Sequence, residues 1–164
     1  AEMIKIRYAL IPYLYSEFLK AALNDEMMFR PLAFDFPEDN TAKQAEDQLF
    51  LGNELMIAPI YKQNAQGRYV YLPEEMMMIS MKSVSDYTAA VLPAGHHYVE
   101  VPLDTLVFFI RKGKAIPFGA AADNTSQIDM SALRLLGYDG STYELYSDNG
   151  YSPEPEDSLK ITTL

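Results

Sequence analysis

Cysteine and tryptophan are absent from these 164 residues, and histidine occurs only twice. Without cysteine there is no disulfide framework, no thiol nucleophile and no cysteine-ligated zinc. The opening Ala-Glu-Met-Ile-Lys-Ile-Arg leads into no small-residue cleavage site, so no secretory leader is expected; the compartment stays unassigned, with the cytoplasm favoured. No apolar run approaches the roughly 20 residues needed to span a bilayer. Positive charge is scarce as well. Thirteen Lys and Arg face 23 Asp and Glu, a net charge of −10, which repels phosphate backbones and anionic lipid, so neither nucleic acid nor membrane is an expected partner.

Several catalytic signatures are missing too. There is no Gly-Xaa-Ser-Xaa-Gly elbow. The stretch Gly113 to Gly119 places Pro117 where a phosphate-binding helix would begin, so neither a Walker loop nor a dinucleotide fingerprint is present and no cofactor is expected. His96 and His97 are adjacent and point to opposite faces of a strand. With Glu100 three residues on, they do not converge on a metal. Asp139-Gly140 and Asp148-Asn149-Gly150 read as hairpin turns, because neither supplies alternating oxygen ligands closed by a Glu. Asp35 with Glu38 or Asp39, and Asp47 with Glu46, are sequence neighbours. Glycosidic acid and base work needs carboxyls about 5 to 9 Å apart across a substrate, so these pairs read as solvated loops.

What is present is an ordinary globular composition, 49% apolar and 22% charged. Ile4, Leu10, Ile11, Leu14, Phe18, Leu19 and Ala22 recur at helical spacing over residues 2–28, giving one broad apolar face that needs a partner. Pro12 falls inside it and predicts a kink or a nearby helix start. Residues 29–36 alternate aromatics before Pro37 and read as a buried strand. Thr41 to Leu51 reads as a second helix capped by Gly52. From Leu55 the period changes to short β-prone runs at 55–61, 68–72, 76–81, 97–101, 105–111, 132–138 and 142–147, the cue for an antiparallel sandwich. The small, polar stretch 119–126 is the best internal boundary, and 152–158 forms an acidic loop. Met76-Met77-Met78 and Met27-Met28 read as gap-fillers of a core or an interface.

Taken together, the motifs carry a resemblance. Arg7-Tyr8-Ala9-Leu10-Ile11-Pro12-Tyr13-Leu14-Tyr15-Ser16, Phe29-Arg30-Pro31-Leu32 with Phe36-Pro37, Asp47-Gln48-Leu49-Phe50-Leu51-Gly52 and Leu55-Met56-Ile57-Ala58-Pro59-Ile60 resemble the end of glycoside hydrolase family 31, the α-glucosidases and α-xylosidases. Arg68 to Pro73, Pro102-Leu103-Asp104, Phe109 to Pro117 and Tyr143 to Gly150 are similar to its strands beyond the barrel. Departures occur at Asp25-Glu26-Met27, where the family shows Gly-Xaa-Pro, and at Glu74 to Met77, where it favours Gly-Xaa-Trp.

The resemblance implies an α+β fragment made of the last elements of a (β/α)₈ barrel followed by antiparallel β-sandwich domains. Residues 1–54 would end the catalytic barrel, 55–119 form a proximal C-terminal β-sandwich, and 120–164 begin or abbreviate a distal β domain. It implies retaining hydrolysis by two Asp residues on earlier barrel strands. No Trp-bearing Asp motif is present here. No catalytic residue and no metal ligand is therefore assigned, and sugar-contacting residues stay unassigned. Arg30 and Asp47 match recurrent polar positions and are expected as ion-paired support, with Asp35 near the active-site end of its strand. The expected partners are the remainder of the barrel and, through it, an α-linked oligosaccharide. The alternative is a non-catalytic β-sandwich that binds carbohydrate or protein, with Tyr13, Tyr15, Tyr87, Tyr98 and Tyr151 as stacking surfaces. A third reading makes the methionines and the helix an oligomer contact.

Overall fold

The computed structural model describes residues 2–152 and 154–164. Position 1 of the opening segment and position 153 of the acidic loop lie outside the described residues. Helix α1 spans Glu2–Asn24 and runs through Pro12 without a break. The lost backbone bond costs about 3 kcal/mol, and complete burial of Ile6 and Leu19 returns about 1.5–3 kcal/mol each. Near the proline, the Ala9 carbonyl accepts from the Gly119 amide of a neighbouring segment at 2.9 Å. The helix stops without glycine. Asp25 takes a left-handed φ of 54°, and the Glu26 amide closes back on the Ala21 carbonyl at 3.1 Å, a Schellman ending.

The next elements are β1 (Phe29–Pro31), α2 (Leu32–Asp35), α3 (Asn40–Gln44), β2 (Leu49–Leu51) and β3 (Leu55–Ile57). Two expectations are corrected here. The 29–36 run is no buried strand, because β1 has three residues, Phe29 and Phe34 are exposed, and the chain turns helical at Leu32. The second helix ends at Gln44, seven residues short of Leu51. Asp39 caps it, accepting from the Thr41 and Ala42 amides at 2.8 and 3.1 Å. Leu49–Leu51 forms a strand because it pairs with both β1 and β3, and Gly52 turns that hairpin instead of ending a helix.

The remaining strands are β4 (Gly67–Leu72), β5 (Met76–Met81), β6 (Tyr87–Leu92), β7 (Gly95–Glu100), β8 (Leu106–Arg111), β9 (Ala115–Phe118), β10 (Arg134–Gly137), β11 (Glu144–Ser147) and β12 (Lys160–Thr163). An antiparallel six-stranded sheet has the order β1-β2-β3-β8-β5-β6, and β4-β7, β9-β10 and β11-β12 form separate two-stranded ribbons. The central sheet is buried on both faces. On β8, Phe108 and Ile110 join one core while Phe109 joins the other, as a period of two requires. The first core packs the sheet against α1, β9, β10 and β11; the second packs it against the β4-β7 ribbon. Met76 and Met78 enter the second core and Met77 packs on the first, so the methionine triplet fills gaps on both faces of a central strand.

The face of α1 that is buried, Ile6, Ala9, Tyr13 and Leu19, finds its cover inside this chain against β9 and β11, whereas Ile4, Phe18 and Ala22 of the expected apolar face are exposed. Residues 119–126 lie in the 119–133 connection between β9 and β10, which pair with each other in register Ala115↔Gly137. The architecture is a mostly antiparallel β domain with few helices.

Candidate functional site

The most polar buried point lies where α1 meets the β2-β3 turn and the start of β11. Tyr13 is fully buried, and its hydroxyl donates to the Leu51 carbonyl at 2.5 Å with Glu54 Oε2 at 3.3 Å. One helical turn on, Glu17 accepts from the Tyr143 hydroxyl at 2.6 Å and pairs with Lys20 at 2.8 Å. Lys20 also sits 3.9 Å from the centroid of the Tyr143 ring. Burial, reinforced by the charge of Glu17, raises the Glu54 carboxyl above its ordinary range. Burial and the same charge push the Tyr143 hydroxyl far up, so it stays a proton donor. Gly52 (φ +69°) makes this convergence possible, since a Cβ there would overlap Glu17 and approach the Tyr13 hydroxyl to 2.5 Å. A cavity of about 600 Å³ opens beside the cluster, lined in part by Lys20, Glu54, Glu74, Arg111, Lys114 and Tyr143. Glu17, Glu54 and Glu74 are each met by a donor of this chain. The group acts as a clamp between helix and sheet.

A second polar chain crosses the α2–β8 side. Arg30 grips Asp35 with two parallel bonds of 3.1 Å, and Arg111 reaches Asp35 at 2.5 Å and Glu74 at 2.6 Å. The Arg111 guanidinium lies 4.7 Å from the Phe50 centroid and 5.5 Å from that of Phe36. Burial drives the Asp35 carboxyl up, and the hydrogen bond and charge of Arg30 with the charge of Arg111 outweigh it, leaving Asp35 below the usual range. On the β4-β7 ribbon, Arg68 pairs with Asp47 at 2.5 Å and donates to the Asp47 and Pro59 carbonyls at 3.1 and 2.8 Å. Arg30 and Asp47 are thus both ion-paired, although Asp47 sits in the α3–β2 connection and not in a helix. Asp35 is spent on two arginines. Asp39 is spent on its helix cap and on the Tyr71 hydroxyl at 2.5 Å.

The proposed stacking tyrosines separate. Tyr13 is buried and Tyr15 is half-buried, with its hydroxyl donating to Asp148 Oδ1 at 2.6 Å. That bond, with burial behind it, pushes the Tyr15 phenol up to about 12. Tyr87 is half-buried, and the Arg134 guanidinium lies 5.4 Å from its ring centroid. Tyr98 and Tyr151 alone of the five are exposed. Composition pointed to tyrosine but could not say which; Tyr61 and Tyr69, which are exposed, were missed. His96 packs on Tyr71 at 4.9 Å between centroids, and His97 Nε2 donates to the Pro93 carbonyl at 2.8 Å. Gln48, also unforeseen, is buried and pairs its amide with both backbone groups of Tyr71, at 2.7 and 2.8 Å, tying the β4-β7 ribbon to the start of β2.

Comparison with known proteins agrees with this architecture. Residues 25–116 match the model for the glycosyl hydrolase family 31 C-terminal domain. Alpha-glucosidase 2 of Bacillus thermoamyloliquefaciens is 31% identical over 96% of this chain and 20% of its own length. An alpha-xylosidase of Saccharolobus solfataricus is 30% identical over 93% of this chain and 21% of its own. Among solved structures, a Flavobacterium johnsoniae family 31 dextranase complexed with isomaltotriose superposes with a TM-score of 0.76 at 26% identity, covering 98% of this chain and 20% of that one. The chain spans about a fifth of the length of these relatives. It belongs to glycoside hydrolase family 31 and corresponds to that family's C-terminal domain.

Proposed function

We propose that this chain is the C-terminal portion of a retaining, α-glucosidase-like hydrolase, that it lacks the catalytic Asp pair, and that it closes and supports the barrel. In this reading residues 1–54 end the barrel, 55–119 form the proximal β-sandwich and 120–164 the distal β region. The two catalytic carboxylates belong to earlier strands, and an α-linked oligosaccharide is bound by the complete enzyme.

One observation carries the reading. Large apolar side chains stand exposed along the first elements, at Ile4, Phe18, Met27, Phe29 and Phe34. The opposite face of α1 and the sheet behind it are fully packed. Exposed apolar side chains on elements whose other face is packed mark a surface that another body covers. The barrel is the body that the family supplies at this end of the chain. The part-buried carboxylates of Asp35, Asp47 and Glu74 support the same division of labour, because they are held by Arg30, Arg68 and Arg111.

The test is the double variant Phe29→Ser/Phe34→Ser, made in the longer enzyme and in the isolated chain. The melting temperature should fall in the longer enzyme by several degrees and stay put in the isolated chain. An unchanged melting temperature in the longer enzyme contradicts the docking role.

A further inference from the structure

Tyr61, Tyr69 and Tyr98 are exposed together around a recess of about 310 Å³ at the β4-β7 ribbon, floored by Asp47, Gly67 and Arg68. Exposed aromatic rings are ordinarily free to turn, but these are held. The Tyr61 hydroxyl donates to Asp47 Oδ2 at 3.2 Å, and the Arg68 guanidinium lies 5.7 Å from the Tyr61 ring centroid. Tyr69 and Tyr98, cross-strand partners, meet edge to face with centroids 5.2 Å apart and planes at 70°. Gly67 lets Tyr98 and the Val99 backbone close over it, since a Cβ there would lie 2.5 Å from the Val99 carbonyl and 2.9 Å from the Tyr98 hydroxyl. Both contacts to the Asp47 carboxylate fall on Oδ2, and its side chain is 39% exposed, which leaves an acceptor at the wall.

We propose that this recess is a binding site for one pyranose unit of an α-linked gluco-oligosaccharide. The volume is at the small end of the roughly 300–1,000 Å³ of ligand sites. A protein partner of standard size would cover about 800 Å² of this surface and would meet a charged pair at its centre. A pyranose instead offers an apolar face of C–H groups to a ring and equatorial hydroxyls to the surrounding donors and acceptors. Tyr69 or Tyr98 supplies the stacking face, Asp47 Oδ1 accepts from a sugar hydroxyl, and the tyrosine hydroxyls bind others. Because the rings are fixed before the sugar arrives, little ordering cost opposes binding. The choice of sugar rests on the function proposed above; the geometry of the recess does not.

The test is titration of the ¹⁵N-labelled chain with maltotriose and with isomaltotriose, followed by amide chemical shifts. Saturable shifts should appear at residues 67–69 and 98, with a Kd on the order of 1 mM. Tyr69→Ala and Tyr98→Ala should each weaken binding about tenfold, one by loss of the stacked ring and the other by loss of the edge-to-face contact that holds it. Tyr151→Ala, at an exposed ring outside the recess, should leave it unchanged. The absence of saturable shifts with both sugars overturns the proposal, as does binding that Tyr69→Ala and Tyr98→Ala leave intact. Failure of the hydrolase reading would show separately, as a longer enzyme that cleaves no α-glucoside.

Discussion

Replacing Gly52 by alanine should destabilise the chain far more than the same change at Gly113. Both glycines hold a left-handed backbone, with φ of +69° and +67°, so both variants incur the roughly 1–2 kcal/mol that an L side chain pays in that region. Gly113 has open space where its Cβ would stand, and its cost ends there. At Gly52 the new methyl group overlaps the Glu17 carboxylate and approaches the Tyr13 hydroxyl. Glu17 cannot yield without loosening its bonds to Lys20 and Tyr143. Charge-assisted bonds of this kind contribute about 1.5–3 kcal/mol each, so Gly52→Ala should cost about 3–5 kcal/mol in total. With a urea m-value of about 2 kcal/mol/M, its unfolding midpoint should lie about 1–1.5 M below that of Gly113→Ala. Urea unfolding followed by far-UV circular dichroism gives both midpoints. Equal midpoints would refute the claim that Gly52 exists to admit this clamp.

Three further outcomes follow from the charged and buried polar groups. The Asp35 carboxyl is held below its unfolded value of about 3.9, so its pairing adds stability above that pH and loses it as acid titrates the folded carboxyl; melting temperatures of the wild type should drop more steeply below about pH 4 than those of Asp35→Asn. Glu54 has the opposite sign, raised above an unfolded value of about 4.3; its ionised form weighs against the fold as pH rises, so Glu54→Gln should melt higher at neutral pH, with the advantage fading below about pH 4. Gln48→Leu removes both amide bonds to the Tyr71 backbone, leaves two part-buried groups unpaired at up to about 1–3 kcal/mol each, and should speed hydrogen exchange at Tyr71 well before it does so in β8.

The parts of the fold that follow a local period were readable in the sequence. Helix α1 was legible from its threes and fours, and β4, β5, β7, β8, β10 and β11 from short apolar runs between turn residues. Strands β6, β9 and β12 were not. Strand β6 carries Thr88-Ala89-Ala90 with mostly exposed side chains, and β9 contains Pro117, tolerated because its ribbon pairs on one side only. Strand β12 follows the acidic loop and gains its order from β11. The error over 41–51 shows tertiary pairing overriding helix propensity, since Leu49–Leu51 sits between two strands that no local window contains. The polar clamp was illegible for a similar reason. Glu17 and Tyr143 are 126 residues apart and meet only once α1 lies on β11. Arg30 and Asp47 were recognisable as ion-paired support from the family resemblance, but their partners Asp35 and Arg68 were not named.

Hydrolysis of an aryl α-glucoside by the isolated chain bears most directly on the proposed division of labour between this chain and the remainder of a longer enzyme. The chain alone should release no aryl alcohol above the buffer rate, while the longer enzyme that contains it turns over. Sustained turnover by the chain alone, abolished by a single change such as Asp35→Asn or Glu54→Gln, would contradict that division.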